Sequence, residues 1–226
     1  CGGGETSFRA SKLVGSNGHV LGADISDTLL NLARSKYSKI DNLKFNLCDA
    51  QTHKFQSNSF DKIISRFGVM FFDDPVAAFK NMRPSLKVDG SLNFVCWTEI
   101  MQNEFIIDGA EIITKYTQVN LPPVTREPGP FALSDKLYVE EILTASGFKN
   151  IKIDTVHTII STKDSLQQAA NILMNIGPRA KMLSGMDVSV ETMLQIKSEM
   201  EELCKRRQIG NEITHKACLN YVSAVR

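Results

Sequence analysis

No disulfide framework can be drawn through this chain. Its cysteines, Cys1, Cys48, Cys96, Cys204 and Cys218, are odd in number and show no Cys-x-x-Cys spacing, which excludes a stapled secreted scaffold and the short zinc motifs. A reduced, cytoplasmic protein without a metal site is the expectation, with Cys48 and Cys96 read as small hydrophobes inside strands. Long apolar runs are missing too: no stretch approaches the ~18 uninterrupted residues of a membrane span. Charge of one sign is equally scarce, 26 basic residues against 25 acidic giving a net charge of +1. That balance supplies no global pull toward nucleic acid or an anionic membrane. The dense basic cluster Lys205-Arg206-Arg207 reads as a solvated helix end whose cations complement the dipole. There is no internal repeat and no low-complexity tract.

What the chain does have is a glycine-rich turn at its start. Cys1-Gly2-Gly3-Gly4-Glu5-Thr6-Ser7 leads into a helical pattern, and Asp24 follows Gly4 by 20 residues at the end of a hydrophobic strand. Glycines let backbone come close to a ligand, a following helix offers unpaired N–H groups, and an acidic residue one strand later can accept from ribose hydroxyls. A turn of this kind normally follows a buried strand, so a strand is expected ahead of Cys1. The dinucleotide pattern G-x-G-x-x-G fails on its third glycine, where Ser7 stands.

With 226 residues and 42% hydrophobic composition, one substantial domain with a cap is the expectation. Residues 5–14 pattern as a helix, 19–24 as a strand, then a helix capped by Ser26 or Asp27, and Leu43 to Cys48 as a strand. Phe60 to Phe67 is a further strand. Asp74-Pro75 starts a helix that Pro84 should shorten near Arg83, and Asp89-Gly90 reads as a turn into a strand from Ser91 to Trp97. This alternation predicts an α/β fold, a Rossmann-like, mostly parallel sheet with a final antiparallel strand and a helical cap.

After Trp97 the rhythm changes. Residues 103–117 look helical, 120–131 hold four prolines, and Lys136 to Ala145 is an amphipathic helix stopped by Gly147. Ile151 to Ile160 alternates as a strand, 164–209 are mainly helical, and Ala217 to Val225 closes as a strand. Val190, Met193, Leu194, Ile196, Met200 and Leu203 read as one apolar helix face.

Asp49-Ala50, just after Leu47-Cys48, offers a carboxylate for an adenine amino group with a small neighbour leaving room for the ring; an ordinary loop or capping role stays open. Ser65-Arg66 ends the next strand beside the same crevice, because ligands of open α/β sheets lie at the carboxyl ends of strands. Of the histidines, His19 begins a strand, His157 lies within one and His215 precedes the last, all suited to structural roles. His53 lies in the loop after Asp49 and is the best candidate base, but no catalytic residue is assigned. Met174, Met182, Met186, Met193 and Met200 either line an adaptable apolar pocket or pack a cap. Trp97 either stacks on a substrate or closes the core.

Taken in order, Cys-Gly-Gly-Gly, Leu-Gly-Ala-Asp-Ile-Ser, Cys-Asp-Ala, Ser-Phe-Asp-Lys-Ile-Ile-Ser-Arg-Phe-Gly-Val-Met-Phe-Phe and Leu-Lys-Val-Asp-Gly-Ser-Leu-Asn-Phe-Val-Cys-Trp resemble the class I S-adenosylmethionine-dependent methyltransferases. The small-molecule and quinone-ring branch is nearest. The resemblance is strong over residues 1 to about 97 and looser through Glu127 to Leu133 and Ala145 to Phe148, with Tyr221 to Arg226 as the family's last strand. It implies that Gly2 and Gly4 approach the methionine part of the cofactor, that Asp24 holds the ribose with Ile25 against the adenine, that Asp49 and Ala50 contact the adenine, and that Ser65 and Arg66 lie near the amino group.

The organisation that follows is a single domain over 1–226. Residues 1–97 form a cofactor-binding core lacking its first strand, 98–146 and 161–216 are cap inserts, and 147–160 with 217–226 supply the last strands. The implied function is methyl transfer from S-adenosyl-L-methionine to a small, partly apolar acceptor by direct in-line displacement, with no nucleic acid partner. The alternative is a noncatalytic cofactor-binding or interaction protein that keeps the fold.

Overall fold

A computed structural model describes residues 1–184 and 186–226. The elements run α1 Glu5–Val14, β1 Val20–Asp24, α2 Asp27–Lys36, β2 Leu43–Leu47, β3 Phe60–Arg66, α3 Pro75–Met82, β4 Leu86–Trp97, α4 Glu104–Ile107 and α5 Ala110–Thr117. They continue with α6 Lys136–Ala145, β5 Lys149–Thr162, α7 Leu166–Asn175, α8 Gly177–Leu183, α9 Val190–Arg206, β6 Gln208–Ile209 and β7 Glu212–Val225. The chain divides into two compact units: Cys1–Cys96 with Lys136–Ile153 and Tyr221–Arg226, and Trp97–Asp135 with Asp154–Asn220.

The expected mostly parallel sheet with one antiparallel strand is present. β1 pairs in parallel with β2 in a two-stranded sheet, and the remaining strands run in the order β3-β4-β7-β5 with β6 on β7. No strand among the described residues pairs the second edge of β1 or of β3, which is why two sheets stand where one was expected.

Local chemistry explains the element boundaries of the first unit. Ser26 caps α2, its hydroxyl accepting from Leu29 N at 3.3 Å, and Asp74 caps α3 by accepting from Ala77 N at 2.9 Å with Pro75 in the first turn. Pro84 has no N–H, so α3 ends at Met82 and the chain tightens into a 3-10 turn over Arg83–Ser85. α6 ends in a Schellman arrangement: Gly147 takes φ 86°, its N–H donates to Thr144 O at 2.9 Å, and Phe148 N donates to Leu143 O at 3.0 Å. Between the sheet and α3, Phe79 stacks on Phe94 at 5.8 Å and meets Phe148 edge-on at 6.4 Å.

Several expectations are corrected. Asp89-Gly90 is not a turn before a strand but a bulge inside β4: from Phe60↔Leu86 to Lys62↔Ser91, β4 advances five residues (91 − 86) while β3 advances two (62 − 60). Lys87 Nζ closes over the bulge to Asp61 Oδ1 at 2.9 Å. The helix expected over 103–117 breaks at Asp108-Gly109, where Gly109 takes φ 83°. Residues 208–209 are not helical but form β6, because Gly210, at φ 61°, turns the chain back into β7. His215 therefore lies inside β7, not ahead of it.

The second unit closes around Ile113, Ala170, Leu173, Ile196, Met200 and Cys204. Met174, Met182 and Met200 are buried in this cluster and Met193 packs against it, which places them in the core and not on a pocket wall. On α9 the buried stripe is Ile196, Met200 and Cys204, whereas Val190 and Leu194 are 79% and 62% exposed. At roughly 100° per residue those two fall about 80° and 120° from the centre of the stripe, so the apolar face is narrower than its composition suggests. Arg207 is not a solvated helix end; it caps α9 and clasps Asp108 through two 2.8 Å hydrogen bonds.

Candidate functional site

The glycine turn and the tip of β1 are one hydrogen-bonded assembly. Asp24 Oδ2 accepts from the Gly2 N–H at 2.7 Å and from the Cys1 ammonium at 2.7 Å, while Oδ1 accepts from Ser26 N at 2.9 Å. Burial works to raise the Asp24 pKa, but the ammonium and the two N–H donors outweigh it and hold the carboxyl below its ordinary value. It is an anion whose lone pairs aim at a positively polarised turn.

The two glycines that sequence grouped together are physically different. Gly4 has φ 84°, and a Cβ there would meet Phe45 Cζ at 2.9 Å, Ala33 Cβ at 3.0 Å and Tyr37 Cδ2 at 3.0 Å. Its missing side chain serves the packing of α1 onto α2 and β2. Gly2, at φ 56°, has nothing within 4 Å of the same position, so its bare backbone faces open space. Tyr37 fastens the start of α1 from the other side, stacking on Phe8 at 4.7 Å and donating to Glu5 Oε2 at 2.6 Å.

Parallel pairing brings the β2 tip alongside. Asp24 is in register with Leu47, and Cys48 N donates to Asp24 O at 2.9 Å, so Asp49 follows directly beside the Asp24 strand end. Asp49 Oδ1 accepts from Gln51 N at 2.8 Å, its other oxygen making only a 3.5 Å contact with Thr52. Burial and then the Asp49 charge push the Cys48 thiol up, so it carries no thiolate here; it is half-buried, not sealed as expected. Ile25 presents an apolar side chain that is 74% exposed.

Asn81 on α3 fixes this loop, a residue that sequence reasoning missed. Its amide donates to Ala50 O at 3.0 Å and His53 O at 2.7 Å, and Gln51 Oε1 accepts from Asp74 N at 3.1 Å. An uncharged polar residue between Phe79 and Met82, both buried, was the available signal. His53 points its Nε2 at the Asn46 amide, 3.4 Å away, and sets its ring edge-on to Phe55.

Ser65 and Arg66 lie at the tip of β3. They line a cavity of about 340 Å3 together with Thr6 of α1, Asn93, Val95 and Tyr221. Ser65 Oγ accepts from Gly68 N and Val69 N, each at 3.3 Å, which fixes the turn after the strand. The chain thus brings Gly2, Asp24 and Asp49 together by direct bonds and register, and joins Ser65 and Arg66 to the first turn of α1 through a shared cavity. Among the described residues no group of three or more His, Cys, Asp or Glu is arranged to hold a metal ion, and no helix is long and apolar enough to cross a membrane.

Comparison with known proteins places this arrangement. Residues 1–120 match the methyltransferase-domain family. A demethylmenaquinone methyltransferase of Staphylococcus aureus is 37% identical over 90 residues, which is 40% of this chain and 37% of that enzyme. The match thus spans little more than a third of its curated relative. Among solved structures, the YcgJ protein of Bacillus subtilis superposes with a TM-score of 0.60 at 16% identity, covering 100% of this chain and 88% of that one. Phosphoethanolamine N-methyltransferase 2 of Haemonchus contortus gives 0.56 at 20% identity, covering 100% and 47%. At such identities the superpositions speak for the fold alone. The family match covers more than half of the 226 residues, and with it the chain belongs to the class I S-adenosylmethionine-dependent methyltransferases.

Proposed function

We propose that this chain binds S-adenosylmethionine at the carboxyl ends of β1, β2 and β3 and directs its methyl group to a small, partly apolar acceptor. The observation that carries the reading is the Asp24 carboxylate bonded to the open Gly2 backbone, with Asp49 two residues past Leu47, the register partner of Asp24. Asp24 Oδ1, which accepts only from Ser26 N, has a lone pair left for a ribose hydroxyl, an exposed Ile25 suits one face of a flat purine, and Asp49 next to a small Ala50 suits its exocyclic amine. Gly2, having no side chain to fill the space above it, leaves room for the methionine end, and Ser65 and Arg66 stand at the neighbouring tip.

Support for the ligand comes also from relatives. The Haemonchus contortus enzyme was solved with S-adenosylhomocysteine and phosphomonomethylethanolamine, and the Staphylococcus aureus relative is a demethylmenaquinone methyltransferase. When bound, the cofactor supplies an electrophilic methyl carbon on a sulfonium, so the residues here need only orient it, hold an acceptor atom in line behind that carbon and exclude water. No nucleophilic side chain is required.

The test is calorimetric titration with S-adenosylhomocysteine, followed by methyl-transfer assays on demethylated quinones and simpler phenols. Saturable binding that weakens roughly tenfold or more in Asp24→Asn supports the reading, since a hydrogen bond to a charged group is of that size. Absence of heat with the native chain sinks it.

A further inference from the structure

The strand β5 ends the larger sheet and leaves one edge bare. In the order β3-β4-β7-β5 it is the last member, 14 residues long, and no strand among the described residues pairs its outer side. Its part in the second unit, residues 154–162, stands open on both faces: Thr155, His157 and Thr158 are exposed, Val156 is 42% exposed and Ile159 64%. Along such an edge every second residue turns its N–H and C=O outward, and those groups meet only water unless another strand arrives.

Edge strands of solitary chains are normally blunted by proline, lysine, a bulge or a covering loop. From Thr155 to Thr162 the run Thr-Val-His-Thr-Ile-Ile-Ser-Thr holds no proline, glycine, lysine or carboxylate, and six of its eight residues are β-branched, the side chains that favour pairing. None of them takes a positive φ that would kink the edge. The other open edges are guarded: β1 is five residues long with Gly22 at its centre, and β3 carries Asp61, Lys62 and Arg66. On β5 the charges stand only at the ends of the run, with Asp154 before it and Lys163 after it. Lys163 is 70% exposed and held only at 3.7 Å by Glu212.

We propose that this edge pairs with the same edge of a second copy of the chain, antiparallel across a two-fold axis through Thr158. Charge selects the direction. Antiparallel pairing brings Asp154 of one copy to the Lys163 end of the other, whereas parallel pairing in register would set Asp154 against Asp154. The axis passes through a residue and not between two, because outward-facing N–H and C=O groups recur every second residue and opposed residues must match. Thr158 is midway between Asp154 and Thr162, so this register pairs the whole open stretch, about 30 Å of strand, with Val156 opposite Ile160 and His157 opposite Ile159. Each copy uses its own β5 edge once, so the pairing closes at two chains. It stands independently of the methyl-transfer reading.

Sedimentation velocity on the native chain at rising concentration should show a reversible monomer–dimer equilibrium. Thr158→Lys sets two ammonium groups opposite each other on the axis, at a position exposed in the single chain, and should raise the dissociation constant roughly fivefold or more. Should that variant fold poorly, cross-linking decides by itself. In a Cys1→Ser, Cys48→Ser background, whose remaining cysteines are buried, Thr158→Cys should yield a covalent dimer with diamide, because directly opposed residues lie about 4.5–5.5 Å apart between Cα atoms, within disulfide reach. Ser161→Cys should not: it stands opposite Thr155, so its own counterpart is displaced by 161 − 155 = 6 residues, roughly 20 Å. A native chain that stays monomeric, larger oligomers in place of a dimer, a dimer untouched by Thr158→Lys, or Ser161→Cys linking as readily as Thr158→Cys overturns the proposal.

Discussion

Replacing Gly4 and Gly2 in turn by alanine separates packing from ligand approach within one short turn. Both residues have positive φ, 84° and 56°, where a side chain costs about 1–2 kcal/mol in either case. Only Gly4 adds a clash: its Cβ would lie 2.9 Å from Phe45, 3.0 Å from Ala33 and 3.0 Å from Tyr37, and Ala33 is fully buried and so has no room to retreat. Overpacking of that kind costs about 1–3 kcal/mol more. At roughly 2–4 °C per kcal/mol for a chain of this size, Gly4→Ala should melt between about 2 and 12 °C below Gly2→Ala, with the urea midpoint moving the same way. Binding of S-adenosylhomocysteine should divide in the opposite sense. Gly2→Ala fills open space beside the Asp24 carboxylate and is expected to weaken binding by roughly tenfold or more, the scale of one lost charged hydrogen bond. Equal melting temperatures for the two variants, or unchanged affinity in Gly2→Ala, would refute the division of labour drawn here.

Asn81→Ala removes the amide that holds Ala50 O and His53 O, and should cost about 1–3 kcal/mol in urea titrations while reducing S-adenosylhomocysteine affinity by loosening the Asp49 loop. Asp24 and Asp108 both have folded pKa values held below the ordinary 3.8, so their contribution is complete above that value and is lost as pH falls through the folded pKa. Melting scans should show acid destabilisation beginning near pH 4, and Asp108→Asn should flatten it while lowering stability at pH 7 by about 1.5–3 kcal/mol. Burial pushes the Cys96 thiol up to about 12, so iodoacetamide followed by peptide mass spectrometry should find it unmodified in the native chain and labelled after unfolding.

Much of the first unit was legible because its signals are local. Asp74-Pro75, Ser26 and Gly147 fix helix ends through bonds that span three to five residues, and Pro84 ends α3 by lacking one donor. The ends of β1 and β2 were legible too, each hydrophobic run stopping at a polar residue, Asp24 in one and Asp49 just past the other. Asp89-Gly90 was misread since a turn and a bulge use the same residues, and only the partner strand tells them apart.

The sequence alone settled the alternation of strands and helices, the family, and the residues that stand at the strand tips, since each depends on hydrophobic period or on neighbours in the chain. Only the tertiary structure decided that Gly4 serves packing while Gly2 stays open, that Asn81 holds a loop 28 to 31 residues away, and that His215 meets Asp108 across 107 positions. The physical reason is common to all of them: a hydrogen bond or a clash depends on which atoms folding brings within a few ångströms. Contacts between residues so far apart along the chain leave no periodic trace in it.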